Sequence, residues 1–176
     1  RRNREGSKPR DPLYTIEDVK NCMPDFKLAK YGKKYGINDD IEVRFNDAGH
    51  ILGSSIIELF ITEKGVEKKL VFSGDLGTWN TPIVRDPSLI DFATYVFVES
   101  TYGNRLHEKK DQTYKKLSKI INQTYKKGGR LMIPSFAVER TQELLLTIKT
   151  LIKNGDFPNQ KVFLDSPLAI RATNVF

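Results

Sequence analysis

The hydrophobic pattern of this chain changes its period near residue 105, and that change limits the fold more than any other feature. Before it, short apolar runs alternate with turn residues. Ile41–Asn46 (IEVRFN) alternates apolar and polar, as a strand with one covered face does. Ser54–Thr62 (SSIIELFIT) is nearly continuous apolar, as a strand buried on both faces is. EKGVEK reads as a turn, and Lys69–Gly74 (KLVFSG) as the returning hairpin strand. A loop rich in Gly, Pro and Asp runs from Asp75 to about Asp91, and Thr94–Ser100 (TYVFVES) follows as another buried strand.

Beyond residue 105 the period becomes helical. Asp111–Lys127 sets Tyr114, Leu117, Ile121 and Tyr125 on one stripe and stops at Gly128-Gly129. Arg130–Pro134 (RLMIP) reads as a short strand. Ala137–Lys153 is a second helix, with Leu144, Leu145, Ile148, Leu151 and Ile152 inward and Asn154-Gly155 at its end, and Lys161–Asp165 (KVFLD) is a strand again. Strand, helix and strand in this order form a βαβ unit and imply a parallel pair. The expected class is α/β, divided into segments 1–104 and 105–176. At the N-terminal end, residues 1–12 read as a linker. Thr15 with Asp18 forms a capping box for a helix through about Met23, and Pro24–Asp40 reads as mostly loop.

The net charge of +7 is unevenly spread. Residues 1–10 carry +4 and residues 105–130 carry +7, so the rest is acidic. The second cluster falls on one helix and its flanks, where Lys115, Lys116 and Lys119 could track a phosphate backbone; a solvated helix face explains the charge equally well. The single cysteine, Cys22, excludes an internal disulfide and agrees with a reducing, cytoplasmic home. No apolar run approaches the roughly 20 residues of a membrane span. The basic start has no apolar stretch behind it, so it is not a secretory signal. The chain begins at Arg1 without methionine, so it is expected to be a piece of a longer protein.

Four strand ends carry groups able to do chemistry: His50, Asp75, Glu99 and Asp165. Loops at the carboxyl ends of strands are where open α/β sheets collect their sites. Asp75 follows a buried strand between glycines. By itself it is best explained as bonded to loop amides. Beside His50, whose strand reaches it through a hairpin, it becomes a plausible half of a zinc site, which needs at least three protein ligands. Glu99 fits a carboxylate that orients a ligand histidine, or one bonded to the Ser-Thr-Tyr backbone after it. His107 reads as a surface residue, and Asp165-Ser166-Pro167 as a helix start. Pro134-Ser135 opens a helix and leaves amides and Ser135 free to face an anion.

In order and spacing, DAGHILGS, FSGDLG, ESTYGNRLHEKK, GGRLMIPSFAVERTQELL and FLDSPLA resemble the β-CASP branch of the metallo-β-lactamase superfamily. The likeness runs from Asp11 onward. It implies part of an αββα sandwich followed by the start of the β-CASP α/β insert, opening over 130–176. It also implies a cleft holding two zinc ions, where an activated water attacks single-stranded RNA. By this resemblance His50 is a ligand of one zinc, Asp75 bridges both, and Glu99 orients a histidine; Asp75 and Glu99 are the catalytic residues. Ser135 and Arg140 join the three lysines as RNA-binding candidates. The family's HxHxDH motif and its later histidines are absent here, so the chain matches a central fragment holding few or no zinc ions by itself. The implied activity is an endonuclease, with 5′-exonuclease activity left open. A non-catalytic scaffold subunit of an RNA-processing complex is the alternative. A hydrolase of thioesters or lactams is disfavoured by the segment after ESTYG. The hairpin over 41–74, stripped of its neighbours, is expected to expose edges that invite self-association.

Overall fold

The computed structural model describes residues 12–106, 110–158 and 160–176, so the expected linker lies almost wholly outside the described residues, and His107 does as well. Two compact units form, divided after Lys30.

The first unit carries helix α1 (Ile16–Cys22), which begins where the capping box predicts. The Asp18 amide donates to Thr15 Oγ1 at 3.3 Å, and the Thr15 amide donates back to Asp18 Oδ2 at 2.7 Å. A single 3-10 turn, Met23–Asp25, follows with Pro24 inside it.

The second unit is built on a five-stranded mixed sheet in sequence order: β1 (Lys34–Asn38), β2 (Ile41–Asp47), β3 (Ser55–Glu63), β4 (Val66–Phe72) and β5 (Tyr95–Phe97). The first four strands are antiparallel and β5 runs parallel to β4. The β3–β4 turn is only Lys64-Gly65, both with positive φ, and Glu63 pairs directly with Val66. Such two-residue turns match the twist of a hairpin.

Residues opposite one another in register share a face. Phe45, Ile57, Phe72 and Phe97 form one apolar row across four strands, ending in a stacked Phe72–Phe97 pair with centroids 4.6 Å apart. The opposite face buries a charge. Glu58 is fully enclosed, with Arg44 and Lys69 each against one of its oxygens, and Asn46 Nδ2 donates to it at 2.7 Å. Ala48, Ile56 and Val71 form the buried core beside it, with Leu76, Ile90 and Ala93 packed on them from the loops.

Helices α2 (Lys110–Lys126), α3 (Arg140–Lys153) and α4 (Pro167–Thr173) complete a mixed α/β unit. Asn122 Nδ2 donates to the Asp156 carbonyl at 2.8 Å, which fastens α2 to the end of α3. Ser166 caps α4 through the Ala169 amide at 3.2 Å, as its sequence predicts.

Several expectations are corrected. The segment over Pro24–Asp40 contains β1, an exposed edge strand whose lack of buried alternation hides it in the sequence. That strand pairs with β2 and β5 pairs with β4, so the hairpin is not left bare; among the described residues the sheet edges are β1 and β5. β5 is three residues long and exposed, not a buried strand. Residues 130–134 and 161–165 form no strand, so the βαβ unit is not made and the parallel pair is β4–β5 instead. A strand exists only with a hydrogen-bonded partner, and among the described residues neither run makes such a pairing; Met132 and Phe163 are well exposed. On α3, Ile148 and Leu151 are buried, but Ile152 faces out.

Candidate functional site

Two loops meet at the ends of β2 and β4. The first, Ala48–Ser54, is closed by its own short side chains. Asp47 Oδ1 accepts from the Gly49 amide at 2.9 Å, and Ser54 Oγ accepts from the amides of His50 and Ile51 at 3.1 and 3.3 Å. Asp and Ser favour such local bonds to backbone amides. The second loop leaves β4 through buried Ser73, whose amide donates to the Phe97 carbonyl at 2.9 Å and whose hydroxyl accepts from the Glu99 amide at 3.0 Å. The strand ends before Asp75 and at Glu99 are therefore tied by one serine.

The loops touch through glycines. The Gly77 amide donates to the Ala48 carbonyl at 2.8 Å. A Cβ on Gly77 would stand 1.5 Å from the Gly49 carbonyl oxygen, so only a residue without a side chain fits. Gly49 has φ of 64°, and a Cβ there would strike Arg85 and Pro87 at 2.7 Å.

This approach brings His50 and Asp75 together. His50 Nε2 and Asp75 Oδ2 lie 4.0 Å apart, with side chains 43% and 76% exposed. Two ligands of one tetrahedral zinc, with bonds of about 2.0–2.2 Å, stand roughly 3.4 Å apart. An imidazole nitrogen and a carboxylate oxygen at this separation, both open, fit a divalent cation in type and approach. They are two ligands only: among the described residues no three His, Cys, Asp or Glu side chains are grouped to hold a metal.

Glu99 does not join them as a third. Its Oε1 accepts from the Leu76 amide, so its carboxylate braces the turn that carries Asp75. That bond is the main reason its pKa lies below the ordinary carboxylate value, with burial opposing; Thr101 and the nearby His50 lower it further.

Glu139, for which the sequence pattern holds no clue, also reaches the histidine loop. It is 6% exposed, and its Oε2 accepts from the Leu52 amide at 3.3 Å. Its backbone has φ of 68° and ψ of −64°, and the Arg140 amide donates to the Val138 carbonyl at 3.0 Å, which makes a γ-turn of the strained, positive-φ kind. Such a residue costs about 1–3 kcal/mol. Burial pushes its carboxyl up, against the lowering effect of the Leu52 amide. Neighbouring side chains hold the turn: Thr141 Oγ1 donates to the Phe136 carbonyl at 2.6 Å and Gln142 Nε2 to that of Ala137 at 3.1 Å. Periodicity reads Glu139 as an ordinary first-turn residue, because a γ-turn leaves no mark in a hydrophobic pattern.

The same turn delays the helix. It begins at Arg140 and not near Ala137, so Ser135 is not at a helix N-terminus; its hydroxyl is exposed, 3.5 Å from the Phe136 carbonyl. Arg140 is exposed and pairs with Glu143 at 2.8 Å. Lys115, Lys116 and Lys119 are exposed along α2. No helix among the described residues is long and apolar enough to cross a membrane.

No family model matches the chain. Individual relatives do. It is 34% identical to "Ribonuclease TTHA0252" of Thermus thermophilus over 94% of this chain and 37% of that protein. It is 34% identical to "RNase J-like protein" of Methanocaldococcus jannaschii over 93% of this chain and 38% of that protein. It is 32% identical to "Transcription termination factor FttA" of Pyrococcus abyssi over 90% of this chain and 24% of that protein. The chain thus spans between a quarter and two fifths of the length of these relatives.

Proposed function

We propose, from the premise that this chain belongs to the β-CASP branch of the metallo-β-lactamase fold, that it builds one wall of a zinc-dependent site that hydrolyses RNA phosphodiesters. The observation that carries the reading is the approach of His50 to Asp75, exposed at 4.0 Å, from the loops that follow β2 and β4. In this reading segment 1–104 is part of an αββα sandwich, and 105–176 opens the β-CASP insert.

His50 would hold one zinc through Nε2, and Asp75 would bridge two through its carboxylate. Two ions bound there would supply a hydroxide nucleophile and neutralise charge on the scissile phosphate. The chain's own residues hold that arrangement still. Glu99 fixes the Leu76 amide, and with it the turn presenting Asp75; its negative charge lies near His50. Ser73 links both strand ends. Lys115, Lys116 and Lys119 would meet phosphates of single-stranded RNA, with Ser135 and Arg140 adding to that surface.

The test is Asp75→Asn in the full protein, with zinc content and turnover of single-stranded RNA measured together. A loss of at least about a hundredfold is expected, since a bridging ligand both holds the metals and fixes the nucleophile. Near-normal turnover at saturating zinc would overturn the assignment. A parent protein that binds RNA and leaves it uncut would favour a scaffold role instead.

A further inference from the structure

Glu139 burdens the fold twice. Its backbone is held in a strained γ-turn, and its Oε1 is buried with no hydrogen-bond partner among the described residues. Against this stands one long-range bond, from the Leu52 amide to Oε2, across 87 residues of sequence. Leu52 lies two residues after His50, in the loop that Asp47 and Ser54 otherwise close from within.

We propose that Glu139 is a positioning residue for His50: its bond to Leu52 holds the 49–53 loop so that the imidazole faces Asp75, and it makes the spacing of that pair depend on the seat of the 136–142 turn. Its importance for catalysis rests on the metal-site reading of His50 and Asp75; the tie itself does not.

The turn is built to act as a unit. Thr141 and Gln142 are both buried and bond back to the carbonyls just before Glu139, which keeps its side chain aimed at one place. Gln142 Nε2 also lies 2.9 Å from Thr173 Oγ1, so α4 is linked to the same turn. A shift of α3 and α4 would move the Glu139 carboxylate and, through Leu52, the histidine loop. Strain at a site persists where the surroundings over-determine it, and the two buried side chains supply that constraint.

Two variants of the full protein separate the tie from the backbone. Glu139→Gly relieves the positive φ but removes the acceptor; Glu139→Gln keeps a side-chain oxygen for Leu52 and removes the charge. Amide hydrogen exchange over 49–53 is measured on metal-free protein, and kcat and KM on single-stranded RNA with zinc. Glu139→Gly is expected to melt no lower than the parent, yet to exchange at Leu52 roughly tenfold faster, as removal of one hydrogen bond to a carboxylate implies. Its kcat should fall with KM little changed, and Glu139→Gln should restore both protection and most of kcat. Unchanged exchange in Glu139→Gly would overturn the proposal, and so would a Gln variant that behaves like Gly. A parent inactive on RNA but showing this exchange pattern would sink the hydrolase reading and leave the tie standing.

Discussion

Gly77 and Gly49 meet backbone to backbone, with room for no side chain between them: a Cβ on Gly77 would overlap the Gly49 carbonyl at 1.5 Å. That meeting joins the loop carrying His50 to the loop carrying Asp75. Gly77→Ala must therefore push the loops apart. Overpacking costs typically 1–3 kcal/mol, occasionally more, and here the obstacle is backbone, so about 3 kcal/mol is expected. Urea unfolding of the full protein measures it. A variant as stable as the parent would mean that the loops are free to separate.

Glu99→Gln should slow RNA cleavage and spare the metal. The glutamine oxygen can still accept from Leu76, but the negative charge beside His50 is gone. Removing a carboxylate that supports a ligand typically costs about 10–100-fold. Zinc content and single-turnover rates, taken on the same preparation, check this; a variant without zinc would instead make Glu99 a direct ligand.

Glu58 gives the sheet an acid-labile interior. Burial alone would raise its pKa, but bonds from Arg44, Lys69 and Asn46 outweigh burial and hold it at about 2, against an ordinary 4.5. Because the folded state binds this proton less tightly than the unfolded one, the contribution is complete above about pH 4.5. It is lost as pH falls toward 2. Glu58→Ala strands Arg44 and Lys69 and should cost about 3–5 kcal/mol at pH 7. The deficit should shrink at pH 3. Equal deficits at both pH values, read from urea melts, would assign the loss to packing instead.

Lys115, Lys116 and Lys119, all exchanged for Glu, should weaken binding of every single-stranded RNA alike. For each phosphate left without its lysine, the slope of log affinity against log salt flattens by about 0.7, so a total change of up to about 2 is expected. A slope identical to the parent's in fluorescence titrations would show a solvated helix face.

Features set by neighbours in sequence were legible without a structure. The Thr15–Asp18 capping box, the β2–β3–β4 hairpins, the Ser166 cap and helix α2 depend on residues a few positions apart, and each forms near where the sequence puts it, although of the expected α2 stripe Ile121 is buried and Tyr125 is exposed. The nomination of His50, Asp75 and Glu99 came from strand ends and motif likeness, which are also local. Tertiary structure alone decided what depends on partners. Arg130–Pro134 has strand composition but pairs with no strand among the described residues, whereas Lys34–Asn38 lacks the pattern and pairs with β2. The 4.0 Å between His50 and Asp75 rests on a close approach of glycines 49 and 77 that periodicity cannot express. The reach of Glu139 to Leu52 depends on a γ-turn held by Thr141 and Gln142. Propensity is a sum over adjacent residues, while a site is a meeting of distant ones, and packing determines which distant residues meet.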